Sequence, residues 1–430
     1  MITAKAFAGK RYAVYGLARS GLATAEALLA SGANVTAWDA KEEARAAAPA
    51  GTEIANLDEA DLSEFDSLVV TPGLPINRHP IAQRARDAGV EIIGDIELFA
   101  RARPELPPHK VVGITGTNGK STTTALIHHI LKTAGAPTTM GGNIGLPILA
   151  QDPLPEGGVY VLELSSYQID LTQSLDCDVA VLLNITPDHL DRYDGFDAYT
   201  AAKARLFEMQ SQGRVAVIAT DDDRTEAISW SLTSTHVARR QVAVVNATDV
   251  HDQSAFPSLQ GPHNAQNIIC AIATARHLGL PNEVIVEGLR TYPGLPHRME
   301  RVREKGGVLF VNDSKATNPT ATAPALAAFP SIRWIVGGQA KTDNLDECAP
   351  HFGHVRSAYT IGEAGELFAA LLSPHMPVEN CETLENAVKR AAEDSQAGDT
   401  VLLSPACASF DQFRDFEQRG DRFKDLVGAL

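Results

Sequence analysis

Short apolar runs alternate along the chain with longer stretches whose apolar residues recur at helical spacing. The clearest unit is a buried strand over residues 111–115, a glycine turn, and a helix over residues 120–134. Leu126, Ile127, Ile130 and Leu131 share one face of that helix. Upstream, residues 11–16 read as a strand entering the turn Gly16-Leu-Ala-Arg-Ser-Gly21 and an Ala/Leu-rich helix. Strands follow at residues 34–38, at 67–70 running into Thr71-Pro-Gly73, and at 91–93. Downstream, strands are predicted at residues 160–163 and 179–183, and helices at 198–210 and 263–278, the latter stopped by Gly279. A last stretch gives strands at 308–311, 334–336 and 400–403, with a helix starting at Pro319. Repeated strand–helix alternation predicts an α/β protein with mostly parallel sheets, and ligands at the carboxyl edges of the strands. Arg103-Pro-Glu-Leu-Pro-Pro108 reads as a proline-stiffened linker and Gly294-Leu-Pro-His-Arg298 as a second boundary. Three domains are expected: residues 1–99, 100–295 and 296–430.

Composition narrows the class. At 430 residues, 44% hydrophobic and 21% charged, the chain is an ordinary globular protein with ample interior. Its formal charge of −16 and the lack of any basic run argue against nucleic acid as a partner. Anionic ligands must therefore be held by local cations, backbone amides or metal. The five cysteines are scattered and form no Cys-x-x-Cys pair, which predicts reduced thiols. No apolar run approaches a membrane-spanning length of ~18 residues, and no signal-type segment is read at the start, so no membrane partner and a cytoplasmic location are expected.

The chemistry concentrates at predicted strand ends. Gly116-Thr-Asn-Gly-Lys-Ser121 between a strand and a helix aims backbone N–H groups into one concavity, where phosphate oxygens bind. Lys120 supplies a point charge to the phosphates and Ser121 a hydroxyl for Mg²⁺. The loop is shorter than the strict P-loop, which places glycine where Ile114 stands. Gly16–Gly21 nearly matches a dinucleotide fingerprint, with Asp39 downstream but Ala18 at the second glycine position. That departure favours another nucleotide-type ligand over NAD. Glu163 ends an apolar run and suits Mg²⁺ or a bound water; His189, in Asn184-Ile-Thr-Pro-Asp-His-Leu-Asp191, is a candidate metal ligand. Tyr199, Lys203, Leu206 and Phe207 recur at helical spacing, so Lys203 lies on the face that should be buried. It either snorkels or pairs with a carboxylate, which the sequence favours, or it is desolvated and loses its proton, and a neutral amine can take up CO₂ as a carbamate. His263-Asn-Ala-Gln-Asn267 opens a helix, with Asn264 cap-like and Asn267 a cap or a nucleobase contact. Arg298, Asp313, Lys315, Lys341 and the run 404–416 place charged and polar groups beside turns; Cys407 reads as a packed thiol.

Gly-Thr-Asn-Gly-Lys-Ser, Gly-Gly-Asn-Ile-Gly, Glu-Leu-Ser-Ser-Tyr-Gln, Asn-Ile-Thr-Pro-Asp-His-Leu-Asp, Gly-Leu-Pro-His-Arg and Asp-Ser-Lys-Ala-Thr-Asn, in this order, resemble the ATP-dependent Mur ligases of peptidoglycan synthesis. The closing Ser-Pro-Ala-Cys-Ala-Ser-x-Asp-Gln-Phe is similar to that of members adding D-glutamate. The resemblance covers essentially the whole chain. It implies a Rossmann-like N-terminal domain, a central P-loop ATPase-like domain and a C-terminal Rossmann-like α/β domain. It further implies a cytoplasmic monomer acting on small molecules: a UDP-linked muramoyl-L-alanine, D-glutamate and ATP, with two Mg²⁺ ions. Arg19, Ser20, Asp39, Lys41, Gly73 and Asn143 match contacts to the uridine-diphosphate substrate, with lysine at position 41 where relatives often have arginine. Gly116, Thr117, Asn118, Gly119, Lys120, Ser121, Asn267, Arg298 and Asp313 match ATP contacts. Ser121, Glu163, His189 and a carbamylated Lys203 match the Mg²⁺ ligands, and Lys120, Glu163, His189 and Lys203 the catalytic set. Lys315, Thr317, Lys341, Ser409 and Phe416 match the D-glutamate pocket, with His297 in the same substrate group.

Overall fold

The computed structural model describes residues 1–188, 192–234 and 241–430. These form three α/β domains, each built on one sheet. The first sheet holds β1 (Arg11–Tyr15), β2 (Asn34–Trp38), β3 (Glu53–Ile54), β4 (Ser67–Val70) and β5 (Glu91–Ile93) in the order β3-β2-β1-β4-β5, all parallel. The second holds β6 (His109–Thr115), β7 (Thr138–Gly142), β8 (Gly158–Glu163), β9 (Val179–Leu182), β10 (Val215–Ala219) and β11 (Gln241–Val245). Their order is β11-β10-β9-β6-β8-β7, again parallel. The third holds β12 (Glu300–Lys305), β13 (Val308–Asn312), β14 (Ile332–Gly337), β15 (Val355–Ile361), β16 (Val378–Glu382) and β17 (Thr400–Leu403). Their order is β12-β13-β17-β14-β15-β16, with only β12 antiparallel.

Side-chain alternation explains why both faces of each sheet carry helices. In the third sheet Val311, Trp334, Val336 and Leu402 enter one buried cluster, while Phe310, Ile335, Val401 and Leu403 enter the other. The first sheet divides likewise, Tyr12, Val14 and Val69 against Ala13, Tyr15, Leu68 and Val70. A strand buried on both faces reads as a continuous apolar run, and covering both faces requires crossover helices.

The chain separates into two compact units, residues 1–251 with 266–290, and residues 252–265 with 291–430. Within the first unit one buried cluster runs from Tyr12, Val14 and Phe99 to Tyr160, Leu162 and Phe207, so the first two sheets share a core. The proline-rich stretch forms a short 3₁₀ turn, Arg103–Glu105, leading into β6. Glu97, almost wholly buried, fastens the same junction by accepting from the backbone N–H groups of Gln173 and Ser174.

The strand orders create the site positions. In the first sheet the order reverses between β1 and β4, so the turns after them flank a crevice. In the second, β8, β6 and β9 are neighbours, and Glu163, the phosphate loop and Asn184 follow them. In the third, β13, β17 and β14 are neighbours, and the segments 313–317, 404–409 and 338–341 follow them.

Candidate active site

The phosphate loop is held by its surroundings before any ligand arrives. Thr117 N–H donates to the Asn184 carbonyl at 2.8 Å, and Asn118 N–H to the Asn184 side chain at 2.8 Å. Asn184 is steadied in turn by donating to Gln266 Oε1 at 2.7 Å. Gly119 has φ +83°, a left-handed conformation that glycine adopts without strain, and a side chain there would collide with Asn267 Oδ1. The helix Lys120–Thr133 starts directly behind it, so its positive end faces the loop. Lys120 Nζ donates to the carbonyls of Gly116 at 2.9 Å and Thr117 at 2.7 Å. Asn267 is buried on the helix Pro262–His277 and accepts from Thr123 Oγ1 at 3.0 Å, which fixes its amide beside the loop. Asn264 does not cap this helix. The helix begins at Pro262, and Asn264 Nδ2 donates back to the Gln260 carbonyl.

Lys203 lies on the helix Phe196–Glu208 and is 1% exposed. It neither snorkels nor, among the described residues, forms an ion pair within 4 Å, contrary to what its sequence context favours. Its Nζ donates to the Gly116 carbonyl at 2.8 Å, the oxygen Lys120 also uses, and sits 4.6 Å from the centre of the Tyr199 ring. Burial, and then the Lys120 charge, push the Lys203 ammonium well below its ordinary range. Two amines converging on one carbonyl in a dry place favour a neutral Lys203, the form that reacts with CO₂.

Glu163, 2% exposed at the end of β8, accepts from Asn143 Nδ2 at 2.9 Å through Oε1. Its Oε2 is buried with no hydrogen-bond partner among the described residues. Leaving a carboxylate oxygen orphaned in the interior is costly, and a cation would remove that cost. Ser121 is buried at the start of the adjacent helix. These residues fit a hard divalent ion. His189 lies outside the described residues. Among the described residues no group of His, Cys, Asp and Glu clusters as a ready-made metal site.

At the crevice of the first sheet, Asp39 ties two turns together, accepting from Leu17 N–H at 2.7 Å and Lys41 N–H at 2.9 Å. Arg19 and Ser20 open the helix Arg19–Ala30, and Arg19 donates to the Gly145 carbonyl at 3.0 Å, beside Asn143. Lys41 is exposed. The loop of Gly73 is clasped by Arg192, which donates to the carbonyls of Gly73 at 3.2 Å and Leu74 at 2.8 Å and stacks 4.2 Å over Tyr167. A cavity of about 270 Å³ opens beside this clasp, walled by Leu74, Ile76, Tyr167 and Tyr193, and it includes none of the expected substrate contacts.

In the second unit Asp313 is buried. It accepts from Met299 N–H at 3.1 Å and Ser404 Oγ at 2.8 Å, and burial raises its carboxyl to about 7 against the partial offset of these two bonds and, less, of Arg298. His297, buried with φ +61°, meets Asn312 Nδ2 at 3.0 Å and packs edge-on to Phe416 at 6.0 Å. Its imidazole is held below its usual range, chiefly by burial, so it is neutral at pH 7. Lys315 Nζ lies 4.0 Å over the Phe416 ring. Ser409 is buried, Thr317 half-buried, and Lys341 exposed on the segment after β14. Arg298, Asp313, His297, Lys315 and Phe416 are thus brought together. Three residues are added that the sequence did not single out: Asn184 as the loop's brace, Arg192 as the clasp, and Arg419, buried behind Lys315 and Ser409.

Family models match most of this chain in three segments. Residues 10–94 match a Mur ligase MurD-like N-terminal domain, residues 114–275 a Mur ligase middle domain, and residues 297–407 a Mur ligase glutamate ligase domain. Among curated proteins, the UDP-N-acetylmuramoylalanine–D-glutamate ligase of Novosphingobium aromaticivorans is 63% identical over 100% of this chain and 97% of its own length. The enzymes of that name from Sphingopyxis alaskensis and Zymomonas mobilis are 62% and 56% identical, each over the full length of both chains. Among solved structures, UDP-N-acetylmuramate-alanine ligase from Thermotoga maritima shares the fold with a TM-score of 0.59 at 18% identity, covering 98% of this chain and 99% of that one. With a phosphate loop, a buried lysine beneath it and an unsatisfied carboxylate alongside, matched by family models and full-length relatives alike, the chain belongs to the Mur ligase family.

Proposed function

We propose that this protein joins D-glutamate to UDP-N-acetylmuramoyl-L-alanine with ATP, releasing ADP and phosphate, as a step in making peptidoglycan precursors. Relatives named for that reaction, 56–63% identical along the whole chain, support the substrates. The observation that carries the chemistry is the meeting of Lys120 and Lys203 on the Gly116 carbonyl, beside the orphaned Glu163 oxygen. A carboxylate does not acylate an amine at neutral pH, so it must first gain a leaving group. Loop amides and Lys120 hold the ATP phosphates while the substrate carboxylate attacks the γ-phosphorus, giving an acyl phosphate and ADP. The D-glutamate amine then attacks the acyl carbon and loses a proton, and phosphate departs from the tetrahedral intermediate. Two Mg²⁺ ions, when bound, neutralise converging anionic oxygens. Ser121, Glu163, His189 and carbamylated Lys203 would hold them, and Asn143 keeps Glu163 in orientation.

The remaining assignments follow the same reading. Arg19, Ser20, Asp39, Lys41, Gly73 and Asn143 seat the uridine diphosphate substrate. Asn267, Arg298 and Asp313 complete the ATP contacts, and Lys315, Thr317, Lys341, Ser409 and Phe416 receive D-glutamate beside His297. The partition into residues 1–99, 100–295 and 296–430 goes with these roles. Among the described residues no helix is long and apolar enough to cross a membrane. The reading is of a monomer working in the cytoplasm on small molecules. The test is phosphate release with the amino acid varied. Release is expected only when ATP, magnesium, the muramoyl nucleotide and D-glutamate are all present, and a preference for L-alanine or meso-diaminopimelate would sink the assignment.

A further inference from the structure

Arg419 is the largest charged side chain in the interior, 1% exposed on the helix Phe416–Ala429. Among the described residues no carboxylate lies within ion-pair distance of it. Its guanidinium is satisfied by neutral oxygens instead. Nε donates to Ser314 Oγ at 3.0 Å, and Nη2 to the carbonyls of Ser314 at 2.9 Å and Cys407 at 3.0 Å. Nη1 reaches the Ala408 carbonyl at 3.3 Å. The Ser314 hydroxyl passes the connection on, donating to the Phe416 carbonyl at 2.8 Å.

These acceptors lie beside the residues assigned to D-glutamate. Ser314 precedes Lys315, Ala408 precedes Ser409, and Phe416 carries the ring beneath Lys315. The segment bearing Lys341 joins through paired bonds between Gln339 and Ala408, both at 2.9 Å. One planar group therefore fixes the segments after β13 and β17 directly, and the one after β14 through Ala408. We propose that Arg419 is a positioning residue for the amino-acid subsite: it sets the spacing of Lys315, Ser409 and Phe416, and its positive charge favours a dicarboxylate there. This rests on the D-glutamate assignment made above. Lysine cannot substitute fully, because a compact ammonium cannot span acceptors that a planar fork reaches together.

Steady-state kinetics of Arg419→Lys and Arg419→Met, with D-glutamate and ATP varied separately, test it. In Arg419→Met the KM for D-glutamate is expected to rise roughly ten-fold or more, the scale on which small displacements of binding groups act. The KM for ATP should stay within about three-fold, and Arg419→Lys should fall between wild type and Arg419→Met. Acyl phosphate trapped by hydroxylamine without D-glutamate should stay near the wild-type level. A parallel rise in both KM values, or no rise in either, overturns the proposal; should Arg419→Met fail to fold, Arg419→Lys decides by the same split. Lys341→Ala separates the underlying assignment. If it leaves the KM for D-glutamate unchanged, the pocket assignment fails, whereas a rise there with none in the Arg419 variants overturns the role of Arg419 alone.

Discussion

Lys203 and Arg419 are both 1% exposed cations facing ligand-bearing loops, yet the protein treats them oppositely. Arg419 spreads its charge over four oxygen contacts, and although burial lowers it to about 10 it stays protonated at neutral pH. Among the described residues Lys203 has one carbonyl and an aromatic ring; it shares that carbonyl with Lys120 and is pushed well below its ordinary range. The number of acceptors decides the outcome. A buried cation given enough oxygens becomes a permanent fixture, and one given too few becomes a reactive amine.

Removing the reactive amine should have the largest effect. Lys203→Ala is expected to lose activity by roughly 100-fold or more, the scale for deleting one group that stabilises charge at a transferring centre. Short carboxylic acids that enter the space left by a carbamate should restore part of the rate, and rescue should require magnesium. Assays across formate, acetate and propionate check this, and an absence of rescue by all of them counts against the carbamate while leaving the ligase assignment intact.

Methionine at each position turns the comparison into a difference of sign. Arg419→Met strands the carbonyls of Ser314 and Cys407 in the interior, while Ala408 keeps the Gln339 N–H; at about 1–3 kcal/mol for each acceptor left unpaired, a loss of roughly 3 kcal/mol is expected. Lys203→Met leaves Gly116 still bonded to Lys120 and removes an amine that prefers water, so the fold should gain roughly 1 kcal/mol. The pH dependence follows from the depressed lysine. The unfolded chain binds a proton that the folded one does not, until pH passes the ordinary value of 10.5. Wild-type stability therefore rises toward high pH, and the advantage of Lys203→Met should shrink between pH 7 and pH 10. Thermal melts in magnesium-free, CO₂-free buffer measure both signs.

The same contrast shows how far the sequence could be read. Lys203 is legible because Tyr199, Leu206 and Phe207 place it on a buried helical face. Arg419 obeys the same rule, since Gly420, Phe423 and Val427 bury its face too, but the helix it belongs to was not read from the final residues. Interior strands such as Ser67–Val70 and Thr400–Leu403 announce themselves as apolar runs. Edge strands do so less often, although Glu91–Ile93 is legible. Glu300–Lys305 and Val378–Glu382 are half-exposed and mostly polar, so nothing in their pattern separates them from loops. The phosphate loop is contiguous and could be read locally, whereas the bond between Ser404 and Asp313 spans 91 residues and exists only because β13 and β17 are neighbours.

Asp313 supplies an anionic counterpart to these cations. Among the described residues a backbone N–H and a hydroxyl satisfy it, and burial lifts its carboxyl from 3.8 to about 7. Between those values the folded protein keeps a proton that the unfolded chain has released, so stability falls as pH rises from about 4 through 7. Asn at this position can accept from Met299 N–H and donate to Ser404 Oγ, which still has Thr322 Oγ1 at 3.1 Å as a partner. Asp313→Asn should therefore match wild type near pH 4 and exceed it at pH 8. The gain is on the order of a few kcal/mol, since each unit between 3.8 and about 7 carries about 1.4 kcal/mol. Melting curves at both pH values without nucleotide would show the gap opening. A constant gap would mean that Asp313 is already ionised at pH 4, stabilised by Arg298 more strongly than burial opposes it.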